Sequence, residues 1–139
     1  MRLVRSLRDD RGVAAIEFAL IIPVLVGVLL LGMDGWMRIT QVSQMRSALQ
    51  AGARYYEGGG SDDTNAANLA VKAWASVPAD AQVIVARSCT CGAVVVACTS
   101  QCAPNNTLPQ TFITLTANGT YHGVVHSESL TEVGSIRVR

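Results

Sequence analysis

"RGVAAIEFALIIPVLVGVLLLGMDGW", Arg11 to Trp36, decides how this chain is built. From Val13 to Met33 the only ionisable side chain is Glu17. At about 1.5 Å of rise per residue, a helix over that stretch is roughly 30 Å long, the thickness of a bilayer's hydrocarbon core. The stretch therefore predicts one membrane-spanning helix. Glu17 is its anomaly. An ionised group costs about 3 kcal/mol at the centre of a span and less near its edge, and such groups usually have a partner or a function. By helical rise Glu17 lies about 7 Å beyond Gly12, shallow but below the headgroups. The plainer alternative is a helix shifted outward, with Glu17 wetted at the interface.

The flanks set an orientation. Arg2, Arg5, Arg8 and Arg11 precede the apolar run, whereas Arg38 and Arg46 are the basic residues that closely follow it. Lys and Arg near a span are retained on the cytoplasmic side, so the N-terminus is expected in the cytoplasm and the C-terminal part outside it. A net charge of +1 leaves no basic stripe once that leader is set aside, which argues against a nucleic-acid partner. Half of the residues are hydrophobic but only 5% are aromatic, and the apolar content is concentrated in the span. Residues 58–139 are thus left as a small, core-poor domain with a thin margin from burial alone.

The four cysteines, Cys89, Cys91, Cys98 and Cys102, all lie in that exported part. An even count at close spacing in a small exported domain favours two disulfides. Three connectivities are open; the nested one, Cys89–Cys102 with Cys91–Cys98, suits a hairpin because positions two apart share a strand face. A four-thiolate zinc site is the rival, but C-x-C-x6-C-x3-C lacks the paired C-x2-C of common structural sites.

A basic leader before an apolar run suggests a secretory signal. The run is too long for one, however, and no small-x-small site follows it. A cut is better placed before the run, after Gly12, where it would remove all four leader arginines and leave the anchor on the mature chain. Glycine at that point has two uses, as a helix cap and as a residue whose missing side chain leaves the scissile carbonyl open to a protease. Pro23 removes a donor inside the span and should kink or loosen it, a loss that neighbours in a membrane repair.

Gly12, then Val13-Ala14-Ala15-Ile16, then Glu17-Phe18 leading into an apolar helix, resembles the processing site of type IV prepilins. It resembles more closely the TadE/TadF-like minor pilins (pseudopilins) of the Tad, or Flp, pilus system. The proline within the helix, the acidic residue near its exit and "MRSALQAGARYY", Met45 to Tyr56, share that family's pattern. The resemblance extends from about Arg8 to Tyr56 and is only general beyond. It implies that a membrane prepilin peptidase cuts between Gly12 and Val13, which makes Glu17 the fifth mature residue. It further implies that Glu17 and Phe18 serve processing or assembly, with Glu17 able to meet the free amino group of a neighbouring subunit. The implied partners are the peptidase, other pilin or pseudopilin subunits, an inner-membrane assembly platform and membrane lipid. The implied location is the bacterial inner membrane, single-pass, with a periplasmic C-terminal domain or incorporation in a pilus.

Beyond the span, Ile39, Val42, Met45, Leu49, Ala53 and Tyr56 recur at three and four residues, predicting an amphipathic helix over 34–57. Asp34, Gly35, Gly27 and Gly32 are expected to soften its exit from the membrane. Glu57-Gly58-Gly59-Gly60-Ser61-Asp62-Asp63 ends it. A second helix is expected over 65–76, capped by Thr64 or Asp63 and stopped by Pro78. Strands are expected at 81–87, 93–97, 111–117 and 135–139, with Gly92 at the first turn and a second turn signal at Asn118-Gly119. Helix first and a small antiparallel sheet after it make an α+β arrangement. The organisation is then a leader over 1–12, a span over 13–33, a stalk helix over 34–57 and an exported domain over 58–139.

No catalysis, metal or cofactor is expected. His122 and His126 lack a ligand pattern around them, Ser127 and Ser129 form no nucleophile motif, and no phosphate-binding glycine loop is present. Asn105-Asn106-Thr107 and Asn118-Gly119-Thr120 match the glycosylation triplet, a pattern common by chance. Two other readings compete with a pilus subunit. One is an uncleaved, signal-anchored envelope protein whose exported domain binds a partner. The other is an anchored redox protein using Cys89-x-Cys91, which lacks the usual C-x-x-C.

Overall fold

The computed structural model describes the backbone of residues 10–138 and the side chains of residues 15–138. The arginine leader, up to residue 9, lies outside the described residues. One helix, α1, runs from Asp10 to Glu57. It passes through Pro23 without a break, and the expected softening around Gly27, Gly32, Asp34 and Gly35 does not interrupt it. Its apolar N-terminal part is long and hydrophobic enough to cross a membrane, and none of that part is buried against the domain.

Three glycines stop α1. The Gly59 N–H bonds to the Tyr56 carbonyl at 3.0 Å and the Gly60 N–H to the Tyr55 carbonyl at 2.9 Å, while Gly59 adopts a φ of 88°. This is a Schellman end, in which a left-handed residue turns the chain and satisfies the last carbonyls. The second helix, α2, spans Asp63–Ala73. Its cap is Asp62, one residue before the expected position: the carboxylate accepts the Thr64 and Asn65 N–H groups at 2.8 and 3.1 Å. It also ends earlier than expected, at Trp74, whose ring is buried in the core.

Four strands follow: β1 (Gln82–Cys91), β2 (Val94–Val96), β3 (Gln110–His122) and β4 (Ser127–Arg137). They form one antiparallel sheet in the order β2-β1-β3-β4. The architecture is α+β, with both helices on one face of the sheet. Strands β3 and β4 are longer than the sequence suggested, and Asn118-Gly119 is not a turn but mid-strand. Gly119 is needed there for a close approach, since a Cβ would stand 3.2 Å from the Trp74 ring and 3.1 Å from Pro78. The turn instead follows His122, where the Gly123 N–H bonds to the His126 carbonyl at 2.8 Å.

The core lies between the sheet and the helices. Met45, Ala48, Leu49 and Tyr56 of α1 meet Ala66 of α2, Trp74 just past its end and Ile113, Leu115, Ala117, Tyr121 and Leu130 of the sheet. The alternation expected along β3 holds, with Ile113, Leu115 and Ala117 facing inward. On α1 the apolar stripe shifts: Ile39 is 65% exposed, and Ala48 and Gly52 take the inner face with Met45 and Leu49. Small residues allow α2 and the sheet to approach α1. At Gly52 a Cβ would lie 2.6 Å from Leu115 Cδ2, 3.2 Å from the Ala66 carbonyl oxygen and 3.3 Å from Ala70 Cβ.

All four cysteines are bonded, but not in the nested pairing. The bridges are Cys89–Cys98 and Cys91–Cys102, with Cα separations of 5.0 and 5.4 Å. The register explains the difference. Cys89 faces Val96 and Cys91 faces Val94 across a tight turn at Gly92, which takes a φ of 66°. Cys98 is therefore two positions beyond the partner of Cys89, on the same face, and too far along the strand for Cys91. The chain then turns back through Ala97 to Ser100, and Cys102, bridged to Thr107, comes against Cys91.

Candidate processing and assembly segment

Helix α1 carries the residues that the sequence singles out. Gly12 and Val13 lie in its first turns, and helix ends fray readily, glycine most of all. Glu17 and Phe18 are both exposed, Phe18 by 62%. From Ile16 to Met33 every large apolar side chain is exposed, with Leu20 and Leu29 each at 71%. A band of this size, free of the domain's own contacts, needs lipid or other helices around it. The Gly12–Val13 bond, Glu17 and Phe18 are thus grouped at the end of α1 farthest from the folded domain.

At the other end of that band the domain is clamped to the helix. Asp34, immediately after the apolar run, is buried. Its Oδ1 accepts the Val124 N–H at 2.7 Å and the Tyr121 hydroxyl at 3.1 Å, and the same hydroxyl reaches the Asp34 carbonyl at 2.9 Å. Burial and then the Asp34 carboxylate push the Tyr121 phenol above its ordinary value. Gly123 closes the site, because any Cβ there would overlap the Asp34 carboxylate. Asp34 therefore fastens the domain to the helix rather than softening the helix as its position beside Gly35 predicts.

Two ion pairs continue the clamp along β4. Arg38 meets Glu128, and Arg46 Nε and Nη2 meet Glu132 Oε2 and Oε1 at 3.1 and 3.2 Å. Each arginine is more than half exposed, so solvent screens both pairs and they add little to stability. Their spacing nonetheless fixes register, since both acids lie on the helix-facing side of β4. Near the stop of α1, Asp63 accepts the Tyr56 hydroxyl at 2.7 Å and Arg87 Nη2 at 2.8 Å. These bonds, the tyrosine's first, hold the Asp63 carboxyl below its ordinary value. Asp80 is held low by the Thr120 hydroxyl at 2.6 Å and the Thr120 N–H.

Sequence reasoning missed these anchoring residues. The available signal was an acid placed directly after an apolar run, and two arginines eight residues apart on a helix that ends in a sheet. Such charges announce an interaction, but not its partner. His122 and His126 flank the β3–β4 turn, and no group of three or more metal-ligating side chains occurs among the described residues. A groove of about 370 Å³ opens between α1 and the His122 end of β3, lined by Trp36, Thr40, Gln44, Pro78 and Tyr121 among others.

The family model described as "TadE-like protein" matches residues 12–54. The match begins at Gly12 and covers the apolar band, Asp34 and the stalk of α1, stopping just before the Schellman end. It does not reach α2 or the sheet. No curated protein and no solved structure matches the chain.

Proposed function

We propose that this chain is a minor pilin or accessory subunit that takes part in assembling a Tad/Flp-type pilus. The observation that supports this best is the family match, which starts at Gly12, the residue after which the resemblance puts the cut. On this reading a prepilin peptidase removes residues 1–12. The mature chain is held in the inner membrane by residues 13–33, with its sheet domain in the periplasm. The mature N-terminus and Glu17 then stand at the cytoplasmic edge of the bilayer, where an amino group and a carboxylate from adjacent subunits can pair.

The exposed apolar band fits the same role. In the membrane it is covered by lipid; in an assembly it packs on the bands of neighbouring subunits. Its partners are the peptidase, other pilin or pseudopilin subunits and the inner-membrane assembly platform. The carboxylate near the edge would favour the correct axial stagger between subunits, because only one offset pairs it.

The test is the mass of the chain purified from cells with and without the peptidase. The expected result is a mature chain beginning at Val13 in the first and an intact N-terminus in the second. An intact Met1 in both samples would sink the processing claim.

A further inference from the structure

We infer that the β3–β4 turn is a second membrane contact, a hairpin tip that rests in the lipid interface beside the span. This rests on residues 13–33 crossing the bilayer. Side chains on a helix lean toward its N-terminus, so the surface that a residue covers lies over the preceding turn. Asp34 comes directly after the apolar run, and its carboxylate therefore points back along α1 toward the membrane. The group it holds is the Val124 N–H, at 2.7 Å. The hairpin tip is fixed at the level of the last turn of the span, not above it.

The tip has the composition for that position. Val124 and Val125 are adjacent, 57% and 55% exposed, and neither packs into the core. At the same height on α1, Met33 is 56% and Trp36 72% exposed, and tryptophan is enriched at this boundary. His122 and His126 flank the two valines, which puts polar side chains where headgroups would be. The occupant is a lipid surface rather than a protein groove, because the valines continue an apolar band already sized for a bilayer. The opposite end of the sheet is far away. Strand β3 is 13 residues long, so the disulfide-bonded β1–β2 hairpin stands roughly 40 Å from the tip. A second contact beside the span would set the tilt of the domain on the membrane, which a single helix leaves free to rotate.

The experiment uses the full chain in phosphatidylcholine vesicles brominated either near the headgroup end of the acyl chain or near its terminal methyl. Trp36→Phe is the background, and the emission of buried Trp74 is subtracted. Three reporters are compared in it: Val125→Trp at the tip, Leu29→Trp in the span and Val95→Trp on the far hairpin. Val124→Trp repeats the first. The expected result is quenching of Val125→Trp by the shallow bromines, about two-fold or more stronger than for Val95→Trp, as for an interfacial group. Leu29→Trp, about 6 Å inside the end of the span by helical rise, is expected to be quenched by both sets. Quenching of Leu29→Trp with none at Val124→Trp or Val125→Trp overturns the inference and leaves the span standing. A blue-shifted but unquenched Val125→Trp also overturns it, in favour of contact with another protein chain. No quenching of Leu29→Trp overturns the membrane span and the tip contact together.

Discussion

The Asp34 carboxylate and the Val124 backbone N–H meet at 2.7 Å across 90 residues of sequence. With the Tyr121 hydroxyl as its other donor, Asp34 connects the end of the apolar band to the end of β3. Asp34→Ala leaves the Val124 N–H without its acceptor and the Tyr121 hydroxyl with only the backbone carbonyl of residue 34. The expected loss is about 1–3 kcal/mol, the usual cost of orphaning buried polar groups. Chemical denaturation of the detergent-solubilised chain measures it. Amide exchange should rise first at Gly123 to Val125, before it rises in the core. A uniform rise across the sheet would mean that Asp34 stabilises the whole domain rather than the latch.

Gly52 and Leu115 test how closely α1 packs. A methyl group at Gly52 meets Leu115 Cδ2 at 2.6 Å, which a rotamer change relieves, and the Ala66 carbonyl at 3.2 Å, which is backbone. Gly52→Ala is expected to destabilise by about 1–3 kcal/mol, as overpacking does, despite the better helix propensity of alanine. Gly35→Ala is the comparison, because nothing lies within 4 Å of a Cβ there. It should be neutral or stabilising by up to about 1 kcal/mol. Equal effects at the two sites would contradict the packing described.

The crossed disulfides make a prediction about free thiols. Replacing Cys91 and Cys102 together by Ser removes one bridge and leaves Cys89–Cys98 intact, so the protein should show no reactive thiol. Replacing Cys91 and Cys98 removes one member of each bridge and should expose the thiols of Cys89 and Cys102. The nested pairing gives the reverse outcome, and alkylation followed by mass measurement separates them. Loss of the Cys91–Cys102 bridge should cost about 2–4 kcal/mol, typical for a short loop.

How far the sequence could be read depends on the range of the interactions. The long apolar helix, the α1 stop at Gly58 to Gly60 and the alternation of Ile113, Leu115 and Ala117 follow from local chemistry, and all were legible. The TadE-like features also lay in one continuous stretch. What stayed hidden depended on partners distant in the chain. Ile39 fits an apolar stripe by spacing, yet the sheet meets α1 on the face of Ala48 and Gly52, whose small side chains give no hydropathy signal. Asn118-Gly119 has the composition of a turn, and only the Trp74 ring explains a glycine in mid-strand. The disulfide pairing required the β1–β2 register, and the role of Asp34 required knowing where the β3–β4 turn comes to rest.

Acid should loosen the domain through Asp63 and Asp80. Both carboxyls lie below the ordinary value of 3.8 when folded, Asp63 chiefly through the Tyr56 hydroxyl and Asp80 through Thr120. The unfolded chain therefore binds protons first as pH falls. Their contribution is complete above the ordinary value and disappears as pH drops through the folded values. The denaturation midpoint should be flat from neutrality to about pH 5 and should fall below about pH 4. Asp80→Asn should lower stability at pH 7 and flatten the acid limb. An unchanged acid limb in both Asp63→Asn and Asp80→Asn would assign acid sensitivity to other groups.

Glu17 carries the prediction most specific to function. It is exposed on α1, far from the clamp, so its replacement should not disturb the domain. If its charge serves pilus assembly, Glu17→Ala should still insert in the membrane, form both disulfides and unfold as the parent does. Its defect should appear in cleavage after Gly12 or in recovery with the assembled pilus. The two are separable: the mass of the membrane-bound chain reports cleavage, and its abundance in sheared pili or crosslinked complexes reports incorporation. Glu17→Gln keeps the size and polarity and removes the charge. A defect shared by Gln and Ala assigns the role to the carboxylate's charge, which is the pairing expected with a neighbour's free amino group. A Gln variant that behaves as the parent while Ala fails would assign it to hydrogen bonding or shape. Normal cleavage and normal incorporation in both would leave Glu17 as a wetted carboxylate at the bilayer edge, and the pairing would be wrong.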